Sequence, residues 1–175
     1  MKKQIRYGVY ETASSSIHSL SISNKNMKKC RLKVADDGYV HIILNEYYGK
    51  DCKDYTSQKS KLRYICTWLY VYYGCDLRRL LEESPWYWDK FVNAFKDYVN
   101  KPENQIETNK GKECLGIMID GVKDGGHDGA YSYFDHQTCP DYTYDDSNCV
   151  LNLYDSDQLI NFIFNPLLWL HTDCD

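Results

Sequence analysis

Arg31-Leu-Lys-Val-Ala-Asp-Asp-Gly-Tyr-Val-His-Ile-Ile-Leu44 is the stretch on which the fold turns. Leu32 and Val34 alternate with Arg31 and Lys33, as in a half-buried strand. Asp36-Asp37-Gly38 is a hairpin signal, and Tyr39–Leu44 reads as the return strand. Upstream, Ile17-His-Ser-Leu-Ser-Ile-Ser23 alternates too, with His18, Leu20 and Ile22 on one face and serines on the other. Asn24-Lys25-Asn26 is a turn. The first 45 residues are therefore expected to form an antiparallel meander.

Helical periodicity follows. Leu62, Ile65, Cys66, Leu69 and Tyr73 share one helix face, and Gly74 stands where a glycine cap belongs. Ser84-Pro85 predicts a capping residue with proline at the first helical position. Trp88, Phe91, Val92, Phe95, Tyr98 and Val99 then form an apolar stripe that Lys101-Pro102 ends. Such a stripe is expected in a core rather than around a cofactor. Cys114–Ile119 and Ala130–Phe134 read as strands around a glycine-punctuated loop, Asp120–Gly129. Thr138–Asn148 is a polar loop and Val150–Leu153 a short strand. Asp155 or Ser156 caps a helix reaching about Phe164, Pro166 stops it, and Leu167–His171 is a terminal strand. The expected fold is one α+β domain over residues 1–175, with a largely antiparallel sheet packed by two or three helices.

Charge is segregated along the chain. Residues 1–119 hold 20 Lys and Arg against 14 Asp and Glu, whereas residues 120–175 hold one Lys against 11 Asp and no Glu. The net charge of −4 conceals this split. An Asp-rich region fits loops and caps. It also fits an acidic surface that engages a basic partner, with Asp141, Asp145 and Asp146 as candidates. The 17 tyrosines suit half-buried positions and binding surfaces, since each buries a ring and keeps a hydroxyl wet. The eight cysteines show no CxxC and no framework spacing. No secretory leader or membrane-length apolar run is read, so a cytoplasmic protein with reduced thiols is expected. Cys66 and Cys114 read as small core residues.

The densest polar motif is Arg6-Tyr-Gly-Val-Tyr-Glu-Thr-Ala-Ser-Ser-Ser-Ile-His-Ser19. Arg6, Glu11, Ser14, Ser15, Ser16 and His18 are candidates for an anion or ligand pocket, because turn N–H groups and hydroxyls can cradle a phosphate or carboxylate. The same residues suit an internally bonded turn. Asp135 and His136, at a predicted strand end, are further ligand or anion-binding candidates, and with His127 and Asp128 of the preceding loop they form the best metal or acid–base cluster. His136, Cys139, His171 and Cys174 form two HxxC pairs, a weak zinc signal whose spacing is not that of a zinc finger. No cofactor motif is read.

The N-terminal motif resembles the opening of an uncharacterised family of proteins from tailed phages, prophages and mobile elements of Gram-positive bacteria. Those open on Gly-Val-Phe-Glu-Thr-Asn-Ser-Ser-Ser-Thr-His-Ser. Lys61-Leu-Arg-Tyr-Ile-Cys-Thr-Trp-Leu-Tyr70, Tyr133-Phe-Asp-His-Gln-Thr138 and Ile160-Asn-Phe-Ile-Phe-Asn-Pro166, with Thr172 after it, are similar as well. Ala13 replaces the usual Asn, and Thr138 stands where Ser is common. The resemblance implies a phage or mobile-element accessory protein acting in the bacterial cytoplasm. The leading expectation is a non-enzymatic binding protein that antagonises a host defence. It would inhibit a nucleic-acid-binding effector, in the manner of an anti-CRISPR, or capture a phosphorylated nucleotide signal. A small transferase or hydrolase on a nucleotide or nucleic acid is the alternative from a second class. A structural or morphogenesis protein is the third.

Overall fold

The computed structural model describes residues 16–22, 32–45, 53–72, 77–104, 111–123, 151, 152 and 154–174. Strand β1 spans Ser16–Ile22, β2 Tyr39–Asn45 and β3 Lys53–Tyr55. Helix α1 spans Gln58–Tyr72, α2 Leu77–Glu83 and α3 Trp86–Asn100. A 3-10 turn at Pro102–Asn104 precedes β4, Gly116–Lys123. Helix α4, Ser156–Phe164, and β5, Leu168–Cys174, follow. The fold is α+β. Described strands form one antiparallel sheet in the order β1-β5-β3 and one parallel pair, β2-β4.

Local chemistry accounts for the helix ends. Ser57 and Ser60 cap α1 reciprocally: Ser60 N–H donates to Ser57 Oγ at 3.1 Å, and Ser57 N–H donates to Ser60 Oγ at 3.1 Å. This is the capping-box arrangement built from two serines. At α4 the Asp155 carboxylate accepts from Gln158 N–H at 3.0 Å. Asn165, the C-cap, is extended because the following Pro166 disfavours the helical region. The Ser84-Pro85 expectation is corrected. Pro85 is the N-cap of α3 and no side chain caps it. Ser84 has φ +40° and serves α2 instead, its N–H donating to Leu80 O at 3.2 Å. A left-handed residue closes a helix, and here it lets α3 start at once on a new axis.

The predicted stripes are core. Leu62, Ile65, Cys66 and Leu69 of α1 and Phe91, Phe95 and Val99 of α3 are fully buried, and Trp88 nearly so. In α4, Leu159, Ile160, Phe162 and Ile163 are all buried. Apolar residues occupy more than one side of this helix because it packs on α1, α3 and β5. Phe164 stacks on Tyr98 with centroids 4.4 Å apart. Buried residues of both sheets and all four helices belong to one cluster. Cys66 and Cys114 lie in it, as expected, with free thiols.

The N-terminal meander does not form among the described strands. Strand β1 pairs with β5, from His18 opposite Thr172 to Ile22 opposite Leu168. Strand β2 pairs in parallel with β4. Residues 32–35 are not assigned to a strand. The turn itself is present: Gly38 N–H donates to Ala35 O at 3.1 Å and Ala35 N–H to Tyr39 O at 2.8 Å. Leu32 and Val34 are 1% and 3% exposed. Their alternation reports burial of one side, and burial does not name a hydrogen-bonding partner. Gly38 has φ +87°, and a Cβ there would stand 2.9 Å from Leu115. Leu115 N–H donates to Gly38 O at 2.8 Å, joining the turn to the start of β4.

Candidate functional site

Three polar arrangements stand out among the described residues. The first lies where the Asp36-Asp37-Gly38 turn meets the outer face of β2 and β4. Tyr39 N–H donates to Asp37 Oδ1 at 3.0 Å, fixing the turn. The other oxygen of Asp37 lies 2.8 Å from His41 Nε2, and His41 Nδ1 lies 2.6 Å from Asp120 Oδ1. Asp120 reaches this position because the β2-β4 register slips between Ile42 and Ile43: Ile42 faces Ile119, Ile43 faces Gly121, and Asp120 is the extra residue. Lys112 pairs with Asp36 beside it.

Both ring nitrogens of His41 can donate together only in the imidazolium. The Asp120 hydrogen bond, then that of Asp37, accordingly raises the His41 pKa above the usual histidine value. The Tyr39 N–H, then His41, lowers that of Asp37. Lys112 lowers that of Asp36. In that doubly donating form, His41 offers no lone pair to a metal or a substrate proton. The arrangement is a charge-assisted latch joining turn, β2 and the bulge of β4.

The second arrangement is Lys61 in the first turns of α1. Its side chain is 1% exposed. Its Nζ donates to Asn165 O, at the C-terminus of α4, at 2.8 Å and lies 5.3 Å from the Phe162 ring centroid. A cation at a helix C-terminus is favourable, yet burial pushes the ammonium pKa down to about 8. Lys61 and Asn165 lie 104 residues apart in sequence, and this contact brings them together.

The third is the backbone register of β1-β5-β3. Ser19, His171 and Asp54 occupy one cross-strand row. His18, Thr172 and Lys53 occupy the next. Leu20, Leu170 and Tyr55 form the row beyond that, and Leu170 and Tyr55 are buried. The end of the N-terminal motif is thus registered with residues 168–174.

Of the sequence candidates, Ser16 and His18 stand on β1, opposite Cys174 and Thr172. His171 and Cys174 stand on β5, registered opposite Ser19 and Ser16. Arg6, Glu11, Ser14, Ser15, His127, Asp128, Asp135, His136, Cys139, Asp141, Asp145 and Asp146 lie outside the described residues. So does the predicted strand Ala130–Phe134. The sequence reading missed His41, Lys61 and the Asp54–His171 register. Asp37 and His41 flank a recognised turn at a spacing of four, which was an available signal for one carboxylate. Asp120 was placed in a loop that β4 in fact extends into, so the second was hidden. A lysine inside an apolar helical face, as at Lys61, was an available signal as well. Among the described residues no cluster of three His, Cys, Asp or Glu side chains is suited to hold a metal ion. No described helix is long and apolar enough to cross a membrane. No protein-family model, curated protein or solved structure matches the chain.

Proposed function

We propose that this chain is a phage or mobile-element accessory protein that works by binding. Its Asp-rich C-terminal part occupies a basic, nucleic-acid-binding surface of a host defence protein. The observation that carries this reading is the charge segregation: 11 Asp against one Lys after residue 119. Asp155 and Asp157, two of these residues, are exposed at the start of α4. A clustered negative surface steers association with a basic partner and excludes nucleic acid from it. The family resemblance supplies the phage context. Capture of a phosphorylated nucleotide by the N-terminal serine motif is a variant of the same binding role.

The test is affinity purification from an expressing bacterial host, with mass spectrometry of bound proteins and released small molecules. The expected result is stoichiometric recovery of a defence protein. Association should weaken, and its salt dependence flatten, when Asp141, Asp145 and Asp146 are changed to Asn. Affinity that is unchanged at low and high salt counts against an acidic mimic. A released nucleotide in place of a protein selects the capture variant.

One observation favours a second reading, a small hydrolase acting on a nucleotide or nucleic acid. The backbone register places Ser19, His171 and Asp54 in one cross-strand row, residue types that nucleophile, base and orienting acid require. Polar cross-strand rows also stabilise sheets without any chemistry. Under the hydrolase reading, Ser19→Ala and His171→Ala each abolish turnover and leave the melting temperature unchanged. Wild-type protein that hydrolyses neither nucleotides nor oligonucleotides ends it.

A further inference from the structure

Helix α3 opens on Trp86, whose side chain is 61% exposed, more than any other large apolar residue described. Its ring is not loose. It stacks on Tyr154 with centroids 5.3 Å apart and planes 13° apart. Tyr87 packs edge-on against both, at 5.9 Å from Trp86 and 6.4 Å from Tyr154. Lys90, one turn along α3, donates Nζ to the Tyr154 carbonyl at 2.9 Å and ties the segment before α4 to the helix. One face of the indole is therefore backed by a second ring, and the other is presented to solvent in a fixed orientation.

The charges in the flanking chain are mostly negative. Glu82 and Glu83 end α2 just before Trp86, and Asp89 lies in the first turn of α3. Asp155 and Asp157 follow Tyr154 directly at the start of α4. All five are exposed. Two cations described there are engaged: Lys90 on the Tyr154 carbonyl and Arg78 on Glu82, with Nε to Oε1 at 2.8 Å. A π face amid carboxylates attracts a cation and repels a phosphate. Guanidinium meets both demands, because it stacks flat on an aromatic ring while its N–H groups reach carboxylates. Ammonium is more strongly hydrated and does not stack.

We propose that Trp86 and Tyr154 form a docking platform for an arginine side chain of a basic partner protein. Its guanidinium stacks on the open face of Trp86, and Asp89, Asp155 and Asp157 supply the surrounding negative field. This inference rests on the reading of the chain as a binder of basic surfaces, and it locates one anchor contact.

The test titrates the full chain, labelled at its tryptophan indole nitrogens, with an oligo-arginine peptide, an oligo-lysine peptide of equal length and oligothymidylate. The expected result is a shift of the Trp86 indole resonance with oligo-arginine, and tighter binding of oligo-arginine than of oligo-lysine. Trp86→Ala should weaken oligo-arginine roughly tenfold, the scale of a well-formed cation–π contact. Trp86→Phe should retain part of the affinity. Both variants should melt close to wild type, since the ring is mostly exposed. If oligo-arginine binds but leaves Trp86 unmoved and Trp86→Ala is silent, the platform is overturned while the basic-partner reading stands. If neither basic peptide binds, both fall. Preferential binding of oligothymidylate at Trp86 reverses the assigned charge and also overturns the proposal.

Discussion

Replacing Lys61 with Met tests whether the fold buries a charge at the contact between α1 and α4. Burial lowers the ammonium pKa from 10.5 to about 8. That difference corresponds to about 3 kcal/mol disfavouring the charged form in the native state. Folded protein binds fewer protons than unfolded protein between these values, so stability rises with pH across this window. Below pH 8 the full penalty is present, and above 10.5 it is gone. Met keeps much of the volume and removes the charge, but it also removes the bond to Asn165 O, a loss of about 1–3 kcal/mol. At pH 7 relief of the penalty offsets or exceeds this loss, so the variant should lie between wild-type stability and about 2 kcal/mol above it. At pH 10.5 only the loss remains, and the variant should be about 1–3 kcal/mol less stable than wild type. Urea midpoints of both proteins from pH 7 to 10.5 give the comparison, and tyrosine and cysteine titration common to both drops out. A stability difference that does not change with pH refutes the reasoning, because it means that Lys61 is not desolvated.

The His41 latch carries the opposite sign. Its pKa is raised in the folded state, so its contribution is complete below the unfolded value near 6.5 and fades as pH climbs through the folded value. His41→Gln should therefore destabilise more at pH 5.5 than at pH 8.5 in chemical denaturation, and an equal loss at both counts against the latch. Gly38→Ala should cost more than about 1 kcal/mol by thermal unfolding, from positive φ and the approach to Leu115; an unchanged melting temperature contradicts this. Burial pushes the Cys66 thiol pKa well above its ordinary value. Native protein should leave Cys66 unmodified by iodoacetamide at neutral pH while urea-unfolded protein is modified, as peptide mass mapping would show.

The parts of the fold that follow from spacing within one element were legible in the sequence. The stripes Leu62–Leu69 and Trp88–Val99, the cap at Asp155 and the stop at Pro166 are local matters, and each stands where its chemistry put it. Strand partners were not legible. Leu32 and Val34 carry the same alternation whether they join a ladder or only lie against the core. The partner of Ile17–Ile22 lies near the other end of the sequence, beyond the reach of any local pattern. Helix α2 was missed because Leu77–Glu83 is too short for periodicity to show. Around the candidate site, the Asp36-Asp37-Gly38 turn was read correctly, but the meeting of His41 with Asp120 depends on a bulge between parallel strands. The burial of Lys61 depends on the docking of α4, which no local pattern shows.

In the antiparallel sheet the last strand of the chain, β5, lies in the middle, with β1 and β3 on its flanks. Strands β1 and β3 never touch as ladder partners, so neither can nucleate the sheet with the other. During synthesis both must wait, edges open, until residues 168–174 arrive. Closing so long a loop makes this a late and slow event. The helical core of α1 and α3 can condense earlier, since its contacts are nearer in sequence. A nascent chain stalled before β5 would therefore hold a formed helical layer beside two unpaired strands, a state open to aggregation. A chain cut before residue 168 would lack the strand on which, among the described residues, both flanks depend.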